Sequence, residues 1–342
     1  MPPSVFRRLI FISACLVVAV VRAGPIQHDF IAIDEGLNNL MRVDEKEPAK
    51  NWLVHISKAH PRDLQLVGNG RLLVSHDQGY SEYDLRTGQL LKDISLYHDV
   101  SSVRRLPNGH TLVVGVDLDR PKKNKGDNPL GDPTGRHVIF ADFDANDRLV
   151  NRIAYVGDYA RLVRETAQGT YLCGSNTLFR EGDGKGNWIR EIPVDGFTHA
   201  WKAVRLPNGD TLMSSGYGTS KQNGSAFMVE VDAAGKIVRK FGAAADVPAG
   251  VHPYFYGTFQ LLPNGDVVVA NWQGHGAGRN YSGVQILEFD PKGAIVWEWS
   301  DRAFVSSMQA VLVLDGLNTA LLHDERNGTM EPLPSAEASP KG

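Results

Sequence analysis

Apolar and polar residues alternate in short runs along nearly the whole chain, and turns rich in glycine, asparagine, aspartate and proline separate the runs. The phrase HDVSSVRRLPNGHTLVVG, from His98, joins two such runs across a Pro-Asn-Gly turn. It returns as HAWKAVRLPNGDTLMSSG from His199 and, more loosely, as YFYGTFQLLPNGDVVVAN from Tyr254. Aligned on the turn glycine, six hairpins follow one another, at Gly70, Gly109, Gly169, Gly209, Gly265 and Gly316. Asn-Gly and Asp-Gly suit these turns because both residues reach positive φ at little cost. A third run ending in aspartate and then a fourth follow the hairpins, as in FMVEVDAAGKIVRKFG and VQILEFDPKGAIVWEWS. Four strands per unit, six units and no amphipathic helix between them predict an all-β fold. The expected architecture is a six-bladed β-propeller of four-stranded antiparallel blades. The last unit lacks its outer strands, and the N-terminal runs FIAIDEG, NNLMRVDEK and NWLVHI can supply them, so that both termini close the ring. FIAIDEG and NTALLHDE compete for the second-strand slot of that blade, and the pattern does not choose between them.

The first residues do not fit this pattern. A basic start, MPPSVFRR, precedes the 13-residue apolar run LIFISACLVVAVV, and Val21 and Ala23 offer small residues for cleavage before Gly24. This predicts a signal peptide over 1–23, cut after Ala23, and a secreted or periplasmic protein with no membrane span after cleavage. ISAC, ending at Cys15, resembles a lipobox but sits mid-way through the apolar run. The propeller is then expected over 24–328, with a disordered tail over 329–342. Cleavage leaves Cys173 as the one cysteine, so no intrachain disulfide can form, and its setting TYLCGSN reads as a buried strand. A net charge of −3 argues against a nucleic-acid partner. A monomer is expected.

Within an antiparallel blade, the start of the innermost strand and the end of the second lie at the same end, around a central funnel. Counting back from the turn glycines places His60, His98, Tyr159, His199 and Tyr254 there; just after the second strands come His76, Gln273, His275 and His323. A histidine in such a slot can equally brace neighbouring blades, and His76-Asp77, His98-Asp99 and His323-Asp324 recur as such pairs would. Residues that interrupt the repeat point more strongly to chemistry. His199, His252, Tyr254, Tyr256 and Arg161 are the expected catalytic set: imidazole and phenol to move protons, guanidinium to neutralise an anion. His60, His98, Tyr159, Trp201, Lys202, Gln273, His275 and Arg279 are expected to bind substrate. Trp201, Tyr217, Tyr254, Tyr256 and Trp272 offer stacking surfaces. His60, His98, His199 and His252 together could hold a divalent metal, since imidazole suits zinc, manganese or iron.

HDV…RLPNGHTLV and FDPKGAIVWEWS resemble the repeats of secreted arylsulfotransferase-type propellers, and more distantly those of NHL and quinoprotein (PQQ-type) propellers. The resemblance covers nearly all of the mature chain, at the level of the blade. It implies sulfuryl transfer, with a funnel histidine as transient nucleophile and basic residues holding the sulfate. The chain is shorter than typical arylsulfotransferases, and the tryptophan-docking repeats of quinoproteins are absent, so PQQ is not expected. The residues themselves favour a lyase or hydrolase acting on a polar, anionic small molecule or oligosaccharide in the funnel. Arylsulfotransferase-like group transfer and a non-catalytic ligand- or protein-binding module are the alternatives.

Overall fold

A computed structural model describes residues 25–95, 97–116, 137–157, 159–196, 199–217, 226–275 and 283–333. The signal peptide expected over 1–23 lies outside them. The turns fall where the Asn-Gly pairs place them: Gly109, Gly209 and Gly265 have φ of 81°, 89° and 90°. Each donates its N–H to the carbonyl of the leucine three residues earlier. A Cβ added at Gly109 or Gly209 would meet nothing within 4 Å, so backbone conformation, not crowding, demands glycine there.

Strands β1 (Asp29–Asp34), β2 (Asn39–Asp44) and β3 (Trp52–His55) form one sheet with β24 (Met308–Val313). A second sheet comprises β4 (Leu64–Leu66), β5 (Arg71–His76), β6 (Gly79–Asp84) and β7 (Leu90–Ile94). The third comprises β8 (Val100–Arg105), β9 (Thr111–Val116), β10 (His137–Phe143) and β11 (Leu149–Val156). The fourth comprises β12 (Arg161–Glu165), β13 (Tyr171–Ser175), β14 (Leu178–Gly182) and β15 (Trp188–Pro193). Two further meanders follow. One is β16 (His199–Arg205), β17 (Thr211–Gly216), β18 (Met228–Val231) and β19 (Ile237–Phe241). The other is β20 (Phe255–Leu261), β21 (Val267–Trp272), β22 (Ile286–Phe289) and β23 (Ile295–Trp299).

The fold is an all-β propeller. The six separate blades of the repeat pattern resolve into four separate sheets and one continuous, curled one, because the pair Gly216↔Phe255 joins β17 to β20. Gly216 permits that join: a Cβ there would lie 2.0 Å from the Phe255 ring. The core lies between neighbouring sheets. Second strands such as β9, β17 and β21 are buried along their whole length, whereas outer β11 is exposed over most of its own. Leu172 and Phe179 of one sheet pack on Met213, Phe227 and Val229 of the next, each such side chain contributing about 1.5–3 kcal/mol on burial.

FIAIDEG takes the second-strand slot. β1 pairs with β24 from Phe30↔Val313 to Asp34↔Met308. Asp34 fastens the join by accepting the Ser306 and Ser307 N–H groups, both at 2.9 Å. His28 bridges Glu288 (2.9 Å) and Asp315 (2.6 Å) beside it. NTALLHDE belongs to a different element. Strand β25 (His323–Asn327) and β26 (Thr329–Pro332) form a hairpin against β4, β12, β16 and β20. The tail expected from Thr329 therefore begins with a strand, which the turn at Gly328 (φ 90°) folds back on β25. Residues 334–342 lie outside the described ones.

That hairpin places Asp324 and Glu325 among the innermost strands. Glu325 accepts from Arg164 Nε (2.6 Å) and Lys202 Nζ (2.6 Å), and Asp324 from Arg104 Nη2 (2.5 Å). Asp63 accepts both terminal nitrogens of Arg164, at 2.8 and 3.0 Å, and the Ser102 hydroxyl at 2.8 Å. Three buried cations thus meet three buried carboxylates, a balance that buried charges require.

Candidate functional site

β-Bulges divide the innermost strands into two functional halves. The register shifts between Val100 and Ser102 in β8, Arg161 and Arg164 in β12, Ala200 and Ala203 in β16, and Tyr256 and Phe259 in β20. A bulge inserts a residue and re-aims the side chains that follow it. Beyond the bulges lie the charge cluster's Arg104 and Arg164, with its Lys202 inside the shifted stretch of β16; before them lie Arg161, His199 and Phe255, at a pocket.

That pocket has a volume of about 180 Å³. Its walls come from the starts of innermost strands (Arg161, His199, Trp201, Phe255, Gln309), from the last residue of β21 (Trp272) and from residues just past other strands (Glu35, Tyr217, His275), with Arg62 ahead of β4 and Tyr159 ahead of β12. Trp201, Phe255 and Trp272 form one apolar cluster with Leu162, against which Tyr217 and Tyr254 pack. Their rings meet mostly edge to face: Trp201–Phe255 at 4.8 Å, Tyr217–Phe255 at 5.0 Å and Phe255–Trp272 at 5.3 Å. The His199 ring stands edge-on to Tyr217 (4.8 Å) and Tyr159 (6.4 Å).

Arg161 lies between aromatic faces, 4.0 Å from the Tyr159 ring centre and 5.2 Å from Trp201. Its Nη1 donates to its neighbour's carbonyl, Ala160 O, at 2.8 Å. No carboxylate pairs with it among the described residues, and its Nε has no partner there. Burial pulls its pKa down to about 10; the Tyr159 phenol and, at longer range, the Asp99 carboxylate oppose that fall, and the charge of Arg62 adds to it. Two more donors of the lining, Trp201 Nε1 and Gln309 Nε2, are buried without partners among the described residues. The pocket walls thus leave donors unmet, the complement of an anionic, oxygen-rich guest.

Glu35 is the pocket's acid. Its buried carboxylate accepts Trp272 Nε1 at 2.6 Å and meets His275 Nδ1 at 3.1 Å and His60 Nδ1 at 3.2 Å. Burial alone would raise its pKa, but the bonds to His275 and His60, with the charges of His275 and Arg62, bring it down to about 2. Glu35 is therefore ionised.

Of the residues named from the sequence, Arg161, His199, Tyr159, Trp201 and His275 come together at one pocket, with His60 beside it. Five residues fall elsewhere. Tyr256 is fully buried and donates its hydroxyl to Gly242 O at 2.6 Å, in the core between β18 and β22. Lys202 belongs to the charge cluster, with Nζ also 2.5 Å from Phe259 O. His252 projects an exposed side chain while its carbonyl accepts from Asn271 and Gln273. Gln273 is buried as a backbone brace, and His98 pairs with Asp99 at 3.3 Å. Tyr254 buttresses the box from behind, stacked at 6.0 Å on Trp272. Arg279 lies outside the described residues. The metal set of His60, His98, His199 and His252 does not assemble. Among the described residues, the one group of three or more such side chains within mutual reach is Glu35, His60 and His275. Glu35, Arg62 and Gln309 were not anticipated. Glu35 follows FIAID as Asp77 follows its own second strand, and the two-way assignment of that run hid it.

No family model matches the chain, and no curated protein matches it significantly. Among solved structures, it is similar to β-propellers. A protein of unknown function from Bacteroides caccae aligns at 19% identity over 84% of this chain and 98% of that one, with a TM-score of 0.63. The WD40 β-propeller domain of Doa1 aligns at 12% identity over 83% and 86%, with a TM-score of 0.50. A catalytically inactive virginiamycin B lyase from Staphylococcus aureus aligns at 10% identity over 80% and 84%, with a TM-score of 0.46. Likeness at these identities speaks to the fold alone.

Proposed function

We propose that this is an exported propeller, with six sectors around its axis, that binds a uronic-acid-containing saccharide at the funnel mouth and cleaves it by β-elimination. One observation carries the reading: Arg161 is a guanidinium set among aromatic rings with no carboxylate of its own among the described residues. In this reading Arg161 and Arg62 hold the sugar carboxylate and draw charge from it, which acidifies the proton on the adjacent carbon. The aromatic box takes the apolar face of the ring. His199 removes that proton, the bond to the departing glycosidic oxygen breaks as the carbon–carbon double bond forms, and Tyr159 returns a proton to the leaving oxygen.

The test is a panel of oligouronates against their neutral counterparts. Quenching of tryptophan fluorescence reads binding, because Trp201 and Trp272 line the pocket, and ultraviolet absorbance of the conjugated product reads turnover. The expected result is binding and product with uronates only. Binding without product would reduce the protein to a saccharide-binding module, and equal binding of neutral sugars would remove the arginine clamp.

A further inference from the structure

We infer that Glu35, His60 and His275 form a binding site for a divalent transition-metal ion at the rim of the funnel. The ligand atoms of the three residues lie within 4.8 Å of one another. The two imidazole-to-carboxylate separations are 3.2 and 3.1 Å. Ligands held about 2 Å from a common tetrahedral ion stand about 3.3 Å apart. Both imidazole–carboxylate pairs already match that spacing, and the two imidazoles, whose ligand atoms lie within 4.8 Å, are the pair that would adjust around the ion. Two imidazoles and one carboxylate make a donor set suited to zinc, and three protein ligands leave a fourth position for water or substrate.

The surroundings fit a metal better than they fit a brace. Glu35 is fixed: its side chain is only 4% exposed, and Trp272 Nε1 holds one carboxylate oxygen as an outer-sphere donor. Its backbone is fixed too, with the Glu35 N–H on Ser307 O at 3.0 Å and the adjoining turn pinned by the Asp34 carboxylate. The imidazoles, by contrast, are 46% and 61% exposed at His60 and His275. Exposed side chains contribute little as ion-pair braces, yet they leave an open path for an ion to enter. The T-shaped contact of their rings, 5.9 Å apart, brings both to the same side of Glu35. Arg62 is the nearby opposing charge, acting on Glu35. The site needs no organic ligand, so it stands or falls separately from the uronate reading.

The experiment uses the purified chain, stripped with chelator, dialysed and titrated with Zn²⁺ alone by calorimetry, with metal content checked by elemental analysis. The expected result is one zinc per chain. His60→Ala and His275→Ala, changes at exposed side chains that leave folding intact by circular dichroism, should each weaken binding at least about tenfold. Glu35→Gln should weaken it as well, and His98→Ala, elsewhere on the rim, should leave it unchanged. No zinc uptake, or uptake equal in the His60→Ala/His275→Ala double variant, would overturn the site.

Discussion

Arg161 and Arg164 sit on the same strand, on either side of one bulge, and lead opposite lives. Arg164 is fully buried, with both terminal nitrogens on Asp63 and its Nε on Glu325. Those carboxylates outweigh the penalty of burial and drive its pKa up. Arg161 has aromatic rings for neighbours, no carboxylate within ion-pair distance among the described residues, only the more distant charge of Asp99, and a pKa drawn down to about 10 by burial. A buried cation is tolerated where opposite charge and hydrogen bonds replace its water. A cation left short of both is a local conflict, and such conflicts concentrate where function overrides stability. The contrast separates a closed axial cluster of paired charges from an open mouth, where donors lack protein partners among the described residues.

The sharpest way to break that contrast is to exchange the arginines' fates. Arg164→Met should take three hydrogen bonds from Asp63 and Glu325, leave three buried carboxylates to two cations, and cost about 3–5 kcal/mol in urea unfolding. Arg161→Met should cost far less, since no carboxylate loses its partner. Equal losses would mean that both arginines are structural.

The next effect belongs to the ring closure, another paired charge. Burial alone would lower the His28 pKa, but bonds to Asp315 and Glu288 raise it to about 9, against an ordinary 6.5. Its protonated form therefore favours the folded state. That contribution is complete below about pH 6.5 and fades as pH rises through about 9, to a limit of about 3 kcal/mol. Unfolding titrations at pH 6 and 10 should show this loss in the native chain, whereas His28→Gln should be weaker at pH 6 and lack this part of the pH dependence. Parallel curves for both would mean that His28 is not charged in the fold.

Much of this was legible because a turn glycine fixes the position of each hairpin, and hairpin ends fix which residues share a face. His199 and His275 were found that way, and Arg161 as an interruption of the repeat. Side-chain direction after a bulge was not legible, because one inserted residue flips every position that follows. Hence Lys202, taken as an interruption of the repeat at the funnel, points to the axis from within the shifted stretch of β16. Tyr256 faces the core because it follows Phe255, which lines the mouth, and successive strand residues take opposite faces. A cation or acid in the middle of an innermost strand, as at Arg104 and Arg164, was the available sign of the charge cluster. Its partners Asp324 and Glu325 were hidden because HDE was read as the end of a blade strand. The Glu35–His60–His275 group joins three distant segments, and spacing alone could not assemble it.

Smaller effects sharpen the line between pocket and core. Arg161→Ala should lower uronate affinity by about 2 kcal/mol, roughly thirtyfold, with little change in unfolding, because the lost bonds are charge-assisted and exist only with ligand present. Tyr256→Phe should do the reverse. It removes one hydrogen bond, Oη to Gly242 O, from a fully packed site and leaves that carbonyl unmet. The expected cost is about 1 kcal/mol of stability with unchanged uronate affinity. Should Tyr256→Phe instead weaken binding and spare stability, its phenol would reach the ligand and the core placement of Tyr256 would be wrong.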